Sequence, residues 1–577
     1  MNPSGGALSA ASAEETECVR ARYVTILLTG VRKSGTLPRA MRFSCLSWIG
    51  LVSSVLAVSA ADPVATTNVA PKMALSLEEC VRLALKDNLT LQVGDRVALG
   101  DAADLDVRSV GRLGLEEVRL AAEGAYGYYD PVVSGTGGRH FRQQPQRFEP
   151  TLGQFVSPGE RWNTDIAAGF EGNLPTGTRY ELGASWNRLT GTRLDLDPEL
   201  APGVPNPDFG TFVDFGPQYA TDARIQVTQP LLRDFWIDAG RLNIKIRKQD
   251  LKIAEYSFRL LTMDIIQRVA LAYYDLIAAI DQVKTRMKAL ELASQLVSEN
   301  KKKEAAGTIA PLEARQSESQ EATARTELIA SQFTVQQAEN LLKTLITHDF
   351  ASVQHVALEP TEKLVPVYQA FSLPDSWRNG LENRPDYLQA KEQVESRNMI
   401  LQYRKNQLFP ALDLVGTYGR NGLGDTSSDA LDAIADNRNP YYGGALVLKF
   451  PLTFKSDRAD HKRAKIQKEA AILDLKRRED AVLQEIDLAV KLVQSAYQAT
   501  ESSRAARKFA EEALDAEQKK LEAGRSTSFF VLQFQKDLTD AAALEIRAAA
   551  EYNKALQQLY FREGTTLQRN NINLQLK

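Results

Sequence analysis

The 577 residues, 44% hydrophobic and 25% charged, make a chain long enough for several domains and too apolar for wholesale disorder. A formal net charge of −3 supplies no global basic field of the kind that displaces counterions from phosphates, which argues against nucleic acid as a partner. Cysteines stand only at 18, 45 and 80.

Residues 1–40 are mixed in charge and read as a start-site extension before Met41. Residues 41–61 have the three parts of an export signal: Arg42 in a positive n-region, an apolar core from Leu46 to Val58, and Ser59-Ala60-Ala61 at the cleavage site. The mature chain is then expected to begin at Ala61 or Asp62, leaving Cys80 without an intrachain partner. Arg42-Phe43-Ser44 ahead of Cys45 is not the Leu-small-small pattern of a lipidation site. No later stretch reaches the roughly 18 consecutive apolar residues of a membrane-crossing helix.

Two repeats are expected. Leu75-Ser76-Leu77 followed by Leu85 is matched by Phe371-Ser372-Leu373 followed by Leu381, and strands headed by Pro131 and Pro410 come next. Gln229-Pro230-Leu231 and Phe450-Pro451-Leu452 close those strands, and Ala306-Gly307 and Ala523-Gly524 end the helices that follow. The first repeat spans 62–355, with β-strands in 126–230, a long helix over 240–305 and a helix over 312–348. A linker covers 356–370. The second repeat spans 371–566, with strands in 411–451, a long helix over 457–523 and a helix over 528–562, before a tail at 567–577.

Proline is absent between Leu231 and Ala310 and from Leu452 to the end, so the helices should be far longer than the globular norm. Ile266, Val269, Tyr273, Leu276, Ile280, Val283, Met287 and Leu290 keep the 3,4 spacing of a coiled coil. Phe534, Leu538, Ala541, Glu545, Ala548, Tyr552, Ala555 and Leu559 do the same, with one charge in the seam. A second stripe, Ile265, Ala272 and Ala279, lets a helix pack on both sides, as in a wall of helices; a bundle with one broad apolar face is the alternative.

Period-two alternation marks the strands, as in Arg224-Ile225-Gln226-Val227-Thr228 and in the segments 164–172 and 178–188. An ordinary half-buried sheet alternates in this way, and a membrane barrel must. Long Pro, Gly, Asp and Asn-rich connections at 142–161, 189–219 and 420–441 contrast with the tight Leu174-Pro175-Thr176-Gly177 turn, as in outer-membrane barrels. The expected fold is an α+β membrane protein, with long antiparallel coiled-coil-like helices as an α-barrel wall and antiparallel transmembrane strands whose barrel is completed by oligomerisation.

The opening LSLEECVRLALKDN, the strand ends VTQPLL and LKFPL, VALAYYDL in the long helix, and the turns AAGTIAPLEARQSE and EAGRSTSFFVLQFQ resemble the TolC-like outer membrane efflux protein family, from Leu75 to about Thr566. The resemblance implies a homotrimer forming an outer-membrane β-barrel continuous with a periplasmic α-helical barrel, seated in outer-membrane lipid. It also implies a periplasmic adaptor and an inner-membrane transporter as partners, with the chain as their passive exit duct for small molecules or proteins. Four strands per subunit are usual in the family; 164–172 and 178–188 are an extra pair.

In the family the helix after each Gly turn lines the periplasmic aperture, commonly with Asp six residues after the Gly. Here that position holds Glu313 after Gly307 and Phe530 after Gly524, with Gln316 and Gln533 further on. The second half thus departs from the acidic pattern, and an apolar constriction by Phe529 or Phe530 replaces an ionic ring as the sharper expectation; the alternative is that both rings pack between helices.

His348 and His355 lack a ligand cluster, and no P-loop, Rossmann fingerprint, nucleophile elbow or zincin helix is present. Neither catalysis nor a cofactor is expected. The competing function is an exported periplasmic coiled-coil structural or adaptor protein without a pore, which would have no use for alternating strands in each repeat.

Overall fold

The computed structural model describes residues 72–572 apart from 95, 98–105, 108–110, 144, 157–158 and 203. The start-site extension at 1–40, the signal peptide at 41–61 and the last five residues of the tail lie outside the described residues.

The first described helix, α1 (Leu77–Asp87), opens on a capping box in which the Ser76 side chain accepts from the Glu79 amide and the Glu79 carboxylate accepts from the Ser76 amide at 3.0 Å. Helix α2 (Arg112–Gly124) leads into the first long strand, β1 (Val132–Gln143), followed by β2 (Glu160–Asn173), β3 (Arg179–Leu194) and β4 (Phe212–Pro230). Then come α3 (Ala239–Ala305) and α4 (Pro311–Ile346). The second half runs α5 (Leu373–Asn383), α6 (Pro385–Asn406), β5 (Ala411–Gly424), α7 (Ser427–Ala435), β6 (Pro440–Lys449), α8 (Lys455–Glu522) and α9 (Ser528–Arg562). The segment 356–370 carries the short strand Ala357–Pro360, which pairs in parallel with Lys72–Leu75.

At 67 and 68 residues, α3 and α8 are each about 100 Å long at 1.5 Å per residue. Each folds back on the helix that follows it. Ile266, Val269, Tyr273 and Leu276 of the first seam are buried, and they meet Cys80, Val81 and Ala84 of α1 in one core. Burial then fades: Ile280 is partly covered and Met287 is exposed. The second core gathers Ile486, Val490 and Val493 of α8 with Tyr552, Ala555 and Leu559 of α9. Both cores bury a tyrosine whose hydroxyl is satisfied by a backbone carbonyl, Tyr273 donating to Leu75 at 3.1 Å and Tyr552 donating to Val367. The charge in the second seam, Glu545, is paired with Arg504 at 3.4 Å and Arg507 at 2.9 Å. Cys80 is fully buried, and burial pushes its thiol up to about 12, so it behaves as a small hydrophobe.

The six long strands form one antiparallel sheet in the order β6-β5-β4-β3-β2-β1. The extra pair is inside it, β2 lying between β1 and β3, and β3 against β4. The strands also run further than the alternation alone suggested. β1, β3 and β4 reach Gln143, Leu194 and Phe212, into segments whose Pro, Gly and Asp content reads as loop.

Candidate functional site

Two regions carry chemistry that packing alone does not explain: the sheet, which has two different faces, and the tips of the helical hairpins. The register builds the first. Val133, Phe170, Leu182, Ile225, Tyr418 and Tyr442 sit opposite one another across all six strands, making an unbroken apolar row. The adjacent row on the other face reads Val132, Glu171, Glu181, Gln226, Thr417 and Gly443. Because side chains alternate, that change of character is preserved along the strands. Ile166, Trp186 and Val227 fall on the first face; Thr136, Ser185, Asp222 and Arg224 fall on the second.

The polar face is internally paired. Arg224 donates to Glu181 at 2.8 Å, and the Tyr441 hydroxyl donates to Asp222 at 2.7 Å. Away from α7 the apolar face is uncovered in the single chain: Val133 is 78% exposed and Tyr442 84%. A row of bare aliphatic and aromatic side chains backed by hydrogen-bonded charge fits lipid on one side and water on the other. At the outer end α7 lies on the sheet, where the Thr221 hydroxyl donates to the Ala430 carbonyl at 2.7 Å and the Trp186 indole donates to Ser427 at 2.9 Å.

At the opposite end of the long helices the two turns share one backbone design. Gly307 and Gly524 take φ of 72° and 68°, a left-handed conformation that glycine adopts without the Cβ clash. In each turn the glycine amide and the amide after it reach back into the last helical turn. Gly307 donates to Glu304 and Thr308 to Lys303, both at 2.9 Å; Gly524 donates to Leu521 at 3.0 Å and Arg525 to Lys520 at 2.8 Å. This is the Schellman arrangement, and it satisfies carbonyls the helix end leaves free.

The side chains at the tips differ. Past Gly307, Pro311 opens α4, Glu313 is half-buried and Gln316 is exposed. Past Gly524, Phe529 and Phe530 are each about half exposed, 50% and 52%, and touch edge to face with ring centres 5.6 Å apart. Gln533 is exposed and donates to Asp537 at 3.0 Å. Neither ring is buried between helices of its own chain.

Sequence reading missed the groups that hold the tips. Ser528 is buried and donates to Asn300 at 3.1 Å, tying the start of α9 to α3. Glu318 accepts from Lys301 at 2.9 Å and from Arg315 at 2.7 Å; hydrogen bonds from that pair hold its carboxyl below the usual value of 4.5. Glu517 is held low by hydrogen bonds from Lys520 and Ser526. Higher up, Arg286 joins three helices, reaching Glu327 at 2.7 Å and Asp540 at 3.3 Å. These partners lie far apart in sequence, and only the charge-rich composition near each tip hinted at them.

Residues 378–565 match the family model described as "Outer membrane efflux protein". A curated relative, the pyoverdine export outer membrane protein OpmQ of Pseudomonas aeruginosa, is 25% identical over 320 residues, 55% of this chain, and the match spans 65% of that relative's length. Among solved structures, the CmeC outer membrane channel of Campylobacter jejuni superposes with a TM-score of 0.57 at 13% identity, covering 87% of this chain and 90% of that one. The outer membrane protein VceC of Vibrio cholerae gives 0.56 at 16% identity, covering 85% and 96%. The fold is therefore that of TolC-like outer-membrane channels. Over residues 378–565 the chain is similar to the outer membrane efflux proteins, and the relatives it matches are outer-membrane export and channel proteins rather than enzymes.

Proposed function

We propose that this protein is the passive exit duct of a tripartite efflux or type I secretion system, carrying small molecules or proteins across the periplasm and outer membrane. Three identical subunits assemble it, each contributing two structural repeats, 62–355 and 371–566. A periplasmic adaptor and an inner-membrane transporter complete the system, and the transporter supplies the energy. OpmQ, the relative named for pyoverdine export, supports a small-molecule cargo.

The observation that carries this reading is the continuity between the two-faced sheet and the long helices. β4 runs through Pro230 into α3, and β6 through Pro451 into α8, so the wall that meets lipid is covalently the wall of an about 100 Å helical tube. A pore-free periplasmic adaptor has no use for the uncovered apolar row. Within the duct, the helices after Gly307 and Gly524 line the periplasmic aperture. Glu313, Gln316 and Gln533 line its polar part, and Phe529 and Phe530 form the constriction, which closes by dewetting.

Purified protein in planar bilayers tests this. Stepwise conductance from detergent-extracted trimers is the expected result; a monomeric species without conductance would overturn it.

A further inference from the structure

We infer that each subunit places six strands, not four, in the membrane wall, so that a three-subunit duct closes an eighteen-stranded barrel that is wider than the helical tube beneath it. This rests on the duct reading above; what is added is the strand count, the bore and the nature of the subunit contact.

Three observations support it. The β2–β3 hairpin is hydrogen-bonded into the sheet along nearly its whole length, β2 to β1 from Val132–Glu171 through Gln143–Glu160, and β3 to β4 from Arg179–Thr228 through Leu189–Gln218. Its apolar face carries Trp162, Ile166, Phe170, Tyr180, Leu182 and Trp186, in register with Ile225 and Val227 of β4. A hairpin projecting into water would not need such a face, whereas a lipid-facing wall does. Finally, its inner turn sits level with the strand-to-helix junctions. Asn173 donates to the Tyr128 carbonyl at 3.3 Å and Thr178 to Gln229, and a Cβ on Gly177 would come within 2.8 Å of the Asp234 carbonyl oxygen.

The sheet's two free edges are β1 and β6. With strands alternating in direction, β1 and β6 run opposite ways, so β6 of one copy can continue antiparallel onto β1 of the next. In lipid those edge amides and carbonyls must find partners. The approaching edges are glycine-rich, Gly135 and Gly137 on one and Gly443 and Gly444 on the other, with open space where a Cβ would stand at Gly135, Gly443 and Gly444. Six strands per copy also leave an even total, as antiparallel closure requires. With strands 4.8 Å apart and tilted by about 40°, eighteen strands enclose a backbone diameter of about 36 Å, against about 24 Å for twelve. Four of the six strands connect to helices at the inner end, while the Leu174–Thr178 turn returns without one. The bore therefore flares outward, and passage is limited at the helical end, not in the membrane.

Single-particle imaging of the mature protein in lipid nanodiscs, beside a variant lacking residues 159–207, decides this. Excision leaves β1 antiparallel to β4 with Val133 and Ile225 on the same face. The wild type is expected to be three-fold with eighteen strands, and the variant three-fold with twelve and a bore narrower by about one third. A three-fold wild-type particle with twelve strands and the hairpin outside the lipid overturns the inference but leaves the duct. Particles without a membrane-spanning barrel overturn both. Should the variant not fold, the wild-type strand count alone settles the matter.

Discussion

The two hairpin tips are built on the same backbone and finished with opposite chemistry. Gly307 and Gly524 adopt the same left-handed turn with the same pair of reach-back hydrogen bonds, yet one is followed by Pro311 and Glu313 and the other by a half-exposed pair of phenylalanines. The backbone design is what reversing a long helix demands. The side chains are free to differ because the turn does not use them, and that freedom is where a gate can be written.

Phe530→Ala should break the comparison most visibly. If the rings close the aperture, a several-fold rise in single-channel conductance is expected with little change in thermal stability, since a half-exposed ring contributes well below the ~3–5 kcal/mol of a buried one. Unchanged conductance would assign the rings to a contact between subunits. The counterpart at the other tip, Glu313→Gln, should shift cation preference more than conductance, because it removes a charge and almost no volume.

Ser528→Ala probes what holds the phenylalanine tip. It leaves the buried Asn300 amide without its partner, at a cost of about 1–3 kcal/mol. Hydrogen exchange at the start of α9 should quicken while the α4 tip is unaffected. Gly307→Ala and Gly524→Ala should each cost about 1–2 kcal/mol, and the same amount at both, if the two backbones are equivalent. Thermal melting of the two variants side by side measures this.

The smallest effect is expected on acidification, and it should be common to both tips. Glu318 and Glu517 have folded pKa values lowered by their hydrogen-bonded partners. The stability they lend is whole above the unfolded value near 4.5 and is lost as pH falls through the folded values. The exchange protection factor at both tips, corrected for the intrinsic pH dependence of amide exchange, should therefore be constant from neutral pH down to about 4.5 and fall below it. A fall at only one would show that the two carboxylates are not equivalent.

The helices were the most legible part of the fold, because a missing proline is a local signal and α3 and α8 extend through the breaker-free runs. Strand positions were legible from alternation, but their outer ends were not. Gly191, Gly210 and Pro217 read as loop, yet cross-strand pairing carries β3 and β4 through or up to them. The seam was legible as a pattern, not as burial. Tyr273 and Met287 keep one spacing, but only the first meets α1, and nothing near Met287 in the sequence tells of the change. At the tips the glycines could be read directly, since few other residues tolerate that φ. Ser528 and Asn300 could not, because a hydrogen bond between residues so distant in the chain leaves no local trace.

The parallel pairing of Lys72–Leu75 with Ala357–Pro360 has a consequence for the order of events. During synthesis Leu75 emerges long before Pro360, so the first strand must wait, unpaired, for almost three hundred residues to arrive. Tyr273 waits with it, its hydroxyl aimed at a carbonyl on that same strand. The first core, which includes both Leu75 and Leu358, can seal only once the connection to the second half has appeared, so a truncated chain is left with an open seam rather than with a finished half-molecule.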